Sequence, residues 1–218
     1  MEKEKLLNIL HYYYETNILK EVERKGWKYW NVSRNKRIES IPEHIYGTQQ
    51  LAIAIFSEFN LDIDIFKVIT MLSLHETEEI NIGDITPFDN VSEKEKLKIG
   101  KSAVEKTFSV LSKKDLFTNL IDEFNERKTP EAKFAYYCDK MECDLQAKKY
   151  SDDGRCSFEN ISENILNDNR VKNIIANGAK SVGDVFIDYD TYKYKESDIF
   201  SSLVQYLKDY SINDIKNS

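Results

Sequence analysis

The chain has 218 residues, 41% of them hydrophobic and 32% charged, with only 7 Gly and 3 Pro, a composition suited to one soluble helical domain and poor in the turn residues that β architectures need. A formal net charge of -7 argues against duplex binding, which draws its affinity from a surplus of Lys and Arg on one face, whereas a single nucleotide needs only a local basic pocket. No apolar run approaches the roughly 18 residues of a membrane span and no signal-like segment is present, so the chain reads as cytoplasmic, with no membrane partner.

Leu6, Leu7, Leu10, Tyr13, Tyr14, Ile18, Leu19 and Val22 fall mostly at spacings of three and four, the stripe of an amphipathic helix over residues 2–24 that Gly26 closes. Residues 27–40 break that period and read as a basic, aromatic loop holding Arg34, Lys36 and Arg37. Pro42 suits a first helical turn, and Ile45, Leu51, Ile53, Ala54, Ile55 and Phe59 predict a helix to about Asn60. Residues 63–74 are almost wholly apolar and predict a buried helix. After Gly83 a punctuated loop runs to Asn90, and Ser92 with Glu95 three positions on is a capping-box signal for a helix through about Leu111. Thr129-Pro130 starts another helix, whose Phe134, Tyr137, Met141 and Leu145 run toward Tyr150. Shorter helices are expected at 158–167, 169–178 and 196–210, while residues 183–195 either alternate like a strand or form a packed loop. Cys138, Cys143 and Cys156 lack a CxxC pair and read as free thiols, the first two on a helix.

Two of the three histidines stand in unusual company. His44 follows Pro42-Glu43 in a first helical turn, and His75-Glu76 ends the most apolar segment, where an uncompensated buried charge costs several kcal/mol and calls for a partner or a metal. Glu79, four positions beyond His75, is expected on the same helix face one turn on, with Asp84 just past Gly83. His, adjacent carboxylate, second carboxylate and loop Asp form a ligand and acid–base group. The alternative is a solvated acidic helix end, Glu76, Glu78 and Glu79, with an incidental histidine. Trp27 offers a ring to stack on a base or to fill a core, and Lys140 pairs with a carboxylate or a phosphate.

The order of these motifs resembles an HD-domain phosphohydrolase: His44, then His75-Glu76 where the family has His-Asp, then Asp139 in Phe134-Ala135-Tyr136-Tyr137-Cys138-Asp139-Lys140. It is most similar to the 5'-deoxynucleotidase branch, through Gly26-Trp27-Lys28-Tyr29-Trp30-Asn31-Val32, Glu39-Ser40-Ile41-Pro42-Glu43-His44, the run from His75 to Ile85, and Glu131-Ala132-Lys133-Phe134. The resemblance implies an all-α fold, a single HD-domain helical bundle over residues 1–218 with a core at about 5–150 and additional C-terminal helices at 151–218. It implies one divalent transition metal ion (Co, Mn, Ni, Fe or Zn) held by His44, His75, Glu76 and Asp139, with Glu79 and Asp84 catalytic, and Trp27, Arg34, Lys36 and Arg37 binding substrate. The substrate implied is a (deoxy)nucleoside 5'-monophosphate; the alternatives are a dNTP triphosphohydrolase, another phosphoesterase, or a weakened nucleotide- or protein-binding module. A homodimer is admitted as well. The Glu76 departure lengthens the His-Asp carboxylate by one methylene, and Gly26 stands where some relatives carry Arg.

Overall fold

The computed structural model describes residues 3–33, 36–89 and 91–217, which places Arg34 outside the described residues. Those residues form an all-α protein; an isolated antiparallel bridge pairs Glu23 with Ser40. No helix among them is long and apolar enough to cross a membrane. The helices cluster into two compact units, Met1–Arg24 with Glu39–Tyr136, and Lys25–Ile38 with Tyr137–Ser218.

In the first unit, α1 (Lys3–Thr16) tightens into a 3-10 turn over Asn17–Glu21 and so stops short of residue 24. None of its residues is buried. Half-buried Tyr12 stacks on Phe108 at 5.6 Å between centroids, whereas Leu6, Leu7, Leu10, Tyr13, Tyr14 and Ile18 of the expected stripe are exposed. Helical spacing reveals that an apolar face exists, and not what covers it. The backbone then crosses to the start of α3 (Ile41–Glu58): Ile41 N–H donates to Val22 O at 2.9 Å and Arg24 N–H to Glu39 O at 3.0 Å.

The buried stripe of α3 is Ile41, His44, Thr48, Ala52 and Ile55, while Ile53 and Phe59 face solvent. Two polar side chains take core positions there. Asp64 caps α4 (Ile65–Leu74) by accepting from Phe66 N at 2.9 Å and Lys67 N at 3.2 Å. Val68, Met71 and Leu72 are buried, yet Phe66 is 81% exposed, so α4 shows one of its faces to water. A short α5 (Glu79–Ile82) follows, then α6 (Glu93–Phe108), whose cap Ser92 accepts from Glu95 N at 3.2 Å. The sequence reading left out α7 (Lys114–Glu126), although Phe117, Leu120, Ile121 and Phe124 carry a helical period. Val104, Phe108 and Ile121 make a core between α6 and α7 with Tyr12, Leu74, Leu111 and Phe117 around it.

The long α8 (Pro130–Asp152) starts in the first unit and continues in the second from Tyr137. Gly26 does not close a helix but lies inside α2 (Lys25–Tyr29). Trp27, read as a base-stacking candidate, is 3% exposed, its face on Phe186 at 5.3 Å and its edge to Tyr150 at 5.1 Å. The structure gives that ring a packing role. Of the expected helix at 158–167 only α9 (Glu163–Asn167) forms, while α10 (Asn169–Ala176), capped by Asp168, agrees with the helix expected at 169–178.

Residues 183–195 are neither strand nor loop: α11 (Val182–Asp190) runs into a 3-10 turn, Thr191–Tyr194. Ser181 and Asp184 close a capping box, which overrides the apparent alternation of Val185, Ile187 and Tyr189. α12 (Asp198–Asp209) buries Phe200, Val204 and Leu207, and α13 (Ile212–Asn217) follows. Tyr194 Oη donates to fully buried Asp144 at 2.8 Å, and burial together with nearby Asp190 raises the Asp144 pKa well above the carboxylate range.

The approach of α11 to α8 is tight enough to test. A Cβ on Gly183 would lie 2.8 Å from Lys148 Cα. Gly183→Ala gains up to about 1 kcal/mol in helix propensity, but overpacking against backbone costs about 1–3 kcal/mol and occasionally more. We expect the variant to melt several degrees below wild type by calorimetry; an unchanged or higher melting temperature would show that the two helices part freely.

Candidate metal centre

His44 lies in the first turn of α3, whose direction is set by the capping Ser40: its N–H donates to Glu43 Oε2 at 2.8 Å, and Pro42 supplies a preset φ. His75 is the C-cap of α4. Both rings are almost wholly buried, with His75 also against Phe124 at 5.4 Å between centroids. Nδ1 of His75 lies 2.8 Å from Leu72 O, so this nitrogen carries the hydrogen and Nε2 is left with its lone pair.

That lone pair points into a cluster. His75 Nε2 is 3.4 Å from His44 Nε2 and 3.5 Å from Glu76 Oε1, and His44 Nε2 is 3.6 Å from the same oxygen. Two ring nitrogens and a carboxylate oxygen brought this close call for a cation or a proton among them. Ligands about 2.0–2.1 Å from a tetrahedral metal stand about 3.4 Å apart. The His44, His75 and Glu76 donors have that separation, and two imidazoles with a carboxylate are a donor set for a first-row divalent ion. A solvated acidic helix end does not describe it. The extra methylene of Glu76 leaves its Oε1 facing both rings.

Glu79 is not one turn further along the His75 helix. The chain leaves α4 through a tight turn, Thr77 N–H donating to Leu74 O at 2.9 Å, and Glu79 opens α5. It is 2% exposed, and its Oε2 has no hydrogen-bond partner among the described residues. Burial first, then repulsion from Glu76 and Asp84, pushes its carboxyl up to about 10 against the opposing fields of Arg24 and Lys96. In the metal-free protein Glu79 is therefore a neutral acid at pH 7. Half-buried Asp84 follows Gly83, whose φ of +70° needs glycine. Lys96 Nζ donates to Ile85 O at 2.8 Å and ties this loop to α6.

Sequence reasoning missed Arg24, whose Nη1 donates to Glu76 Oε1 at 2.8 Å. Its signal was faint, the first of two adjacent basic residues, Arg24-Lys25, before Gly26-Trp27. In the second unit Asp139 is buried on α8 and pairs with Lys140 Nζ at 2.8 Å, the carboxylate partner foreseen for that lysine. Lys36 and Arg37 are exposed on the loop after Val32. Arg155, also missed, organises that loop: its guanidinium donates to the carbonyls of Ser33 (2.8 Å), Lys36 (2.9 Å) and Arg37 (3.2 Å) while lying over the Tyr150 ring.

Comparison with known proteins agrees with this architecture. The chain is 30% identical over 148 residues, 66% of its length and 70% of the relative's, to a protein of Danio rerio named 5'-deoxynucleotidase HDDC2. It is 33% identical over 138 residues, 62% of this chain and 64% of the relative, to the Homo sapiens protein of the same name. Its fold is shared with a predicted metal-dependent phosphohydrolase from Magnetospirillum magnetotacticum MS-1, with a TM-score of 0.65 and 19% identity over 95% of this chain and 92% of that one. The HD domain family itself matches residues 16–182, from the end of α1 to the start of α11 and across the His44, His75-Glu76 and Asp139 positions. By that match and by the helical scaffold that carries the histidine pair, the chain belongs to the HD domain family.

Proposed function

We propose that this HD-domain enzyme removes the 5'-phosphate from (deoxy)nucleoside monophosphates at a divalent metal held by His44, His75, Glu76 and Asp139. The observation that carries the reading is the convergence of His44 Nε2, His75 Nε2 and Glu76 Oε1 within 3.4–3.6 Å. Asp139 joins the set through its place in the family's motif order and its burial on α8. The choice of substrate is supported by the relatives named 5'-deoxynucleotidase.

A bound divalent ion would supply a Lewis acid for a phosphoryl oxygen and a field that draws the Glu79 pKa down from about 10 toward the range useful to a general acid. Water attacks phosphorus as the bond to the 5' oxygen breaks. Asp84, held by the turn at Gly83, orients that water and accepts its proton, and protonated Glu79 gives its own to the leaving 5' oxygen, so nucleoside and inorganic phosphate are the products. Lys36 and Arg37 present cationic side chains for the substrate phosphate, with Arg155 fixing the backbone that bears them.

The test is phosphate release from a panel of nucleoside mono- and triphosphates by protein loaded with Co²⁺ or Mn²⁺. Inorganic phosphate from monophosphates is the expected product. Release of triphosphate from dNTPs, or no release from any monophosphate, would overturn the substrate assignment.

A further inference from the structure

Arg24 contacts the carboxylate at the family's His-Asp position, and it is held there by backbone rather than by its own flexible stem. The Val22–Ile41 and Arg24–Glu39 hydrogen bonds, with the Glu23–Ser40 bridge between them, fasten the residue beside the N-terminus of α3, the helix that bears His44. Arg24 and Glu76 are 52 positions apart, and both side chains are mostly buried, at 16% and 12% exposure. The oxygen that Arg24 grips is Oε1, the same atom that faces both imidazole Nε2 atoms. A carboxylate oxygen has two lone pairs, so one takes the guanidinium N–H while the other is turned toward the histidines.

We infer that Arg24 is a positioning residue for the metal centre: it holds the longer Glu76 side chain so that Oε1 is turned to His44 and His75 as a ligand. The inference rests on the metal reading proposed above. A glutamate has one more rotatable bond than the aspartate of the His-Asp motif, and an unheld Glu76 would lose that freedom on binding a cation. A charge-assisted hydrogen bond to the ligand oxygen removes the loss in advance.

The experiment titrates metal-free protein with Co²⁺, following both the heat of binding and the visible absorption of the bound ion, which reports ligand geometry independently of catalysis. Arg24→Ala should weaken Co²⁺ binding about 10–100-fold, the usual cost of losing a hydrogen bond behind a ligand, and should alter the absorption band. Arg24→Lys, which restores a point charge beside Oε1, should return binding to within about fivefold of wild type. Arg24→Gln, of similar reach and uncharged, should behave as the alanine variant does and serves if the latter does not fold. Co²⁺ binding by Arg24→Ala or Arg24→Gln that equals or exceeds wild type overturns the inference while leaving the metal centre in place. Failure of the wild-type protein to take up one equivalent of Co²⁺ overturns the metal reading and this inference with it.

Discussion

His75→Ala should abolish tight divalent-metal binding and lower phosphate release at least about 10³-fold. His75 contributes its Nε2 to the 3.4–3.6 Å cluster, and its Nδ1 hydrogen bond to Leu72 O sets the ring's tautomer. Alanine removes one of the two imidazoles and leaves His44, Glu76 and the proposed Asp139, a set with a single nitrogen donor that binds a first-row divalent ion far more weakly. The variant also loses the ring packed against Phe124 and is expected to be less stable even without metal. Misfolding and lost ligation are separated by linkage. Metal at 100 times its Kd stabilises a folded protein by about 2.7 kcal/mol, a rise of roughly 5–10 °C in melting temperature for a chain of this size. Wild type should show that rise on adding Co²⁺, and folded His75→Ala should show none. A full thermal response in His75→Ala would place the ion elsewhere.

Glu79→Gln should cost about 10²–10⁴ in turnover, the range of a lost general acid, and yet stabilise the metal-free protein. The sign follows from the raised pKa. Folding holds the Glu79 proton up to about pH 10, while the unfolded chain releases it near 4.5. Below 4.5 both states are protonated and the group imposes no penalty. As pH climbs toward 10 the unfolded state alone ionises, so stability falls by at most about 1.4 kcal/mol per pH unit, an upper limit near 3 kcal/mol at pH 7. Glutamine mimics the protonated acid and does not titrate. Chemical denaturation of metal-free protein should therefore show nearly equal stabilities at pH 4.5 and a Glu79→Gln advantage that widens to pH 9. A difference that stays flat across that interval would mean that Glu79 ionises in the fold as freely as in water.

These expectations depend on residues of unequal visibility. Helices α8, α10 and α12 were readable because their caps and apolar periods lie within a few residues of each other. His44 and His75-Glu76 were readable as a motif order. Glu79 was singled out as a candidate acid but assigned to the His75 helix rather than to α5, since the break after Leu74 carries no Pro or Gly to announce it. α11 was obscured by apolar residues two apart, a period that a short helix with its own capping box also accommodates.

Composition, capping signals and motif order were sufficient for the all-α class, the succession of most helices and the family, because each is written in neighbouring residues or in the order of short segments. The tertiary structure decided which faces are covered, with α1 left apolar toward solvent and α3 turning His44 and Thr48 inward. It also decided that Trp27 packs in a core, that Arg155 holds the loop carbonyls, that Arg24 grips Glu76 and that burial pushes the Glu79 carboxyl up. Each of these depends on burial or on contacts made by the folded chain, most of them between residues tens of positions apart, and local spacing carries no record of such packing.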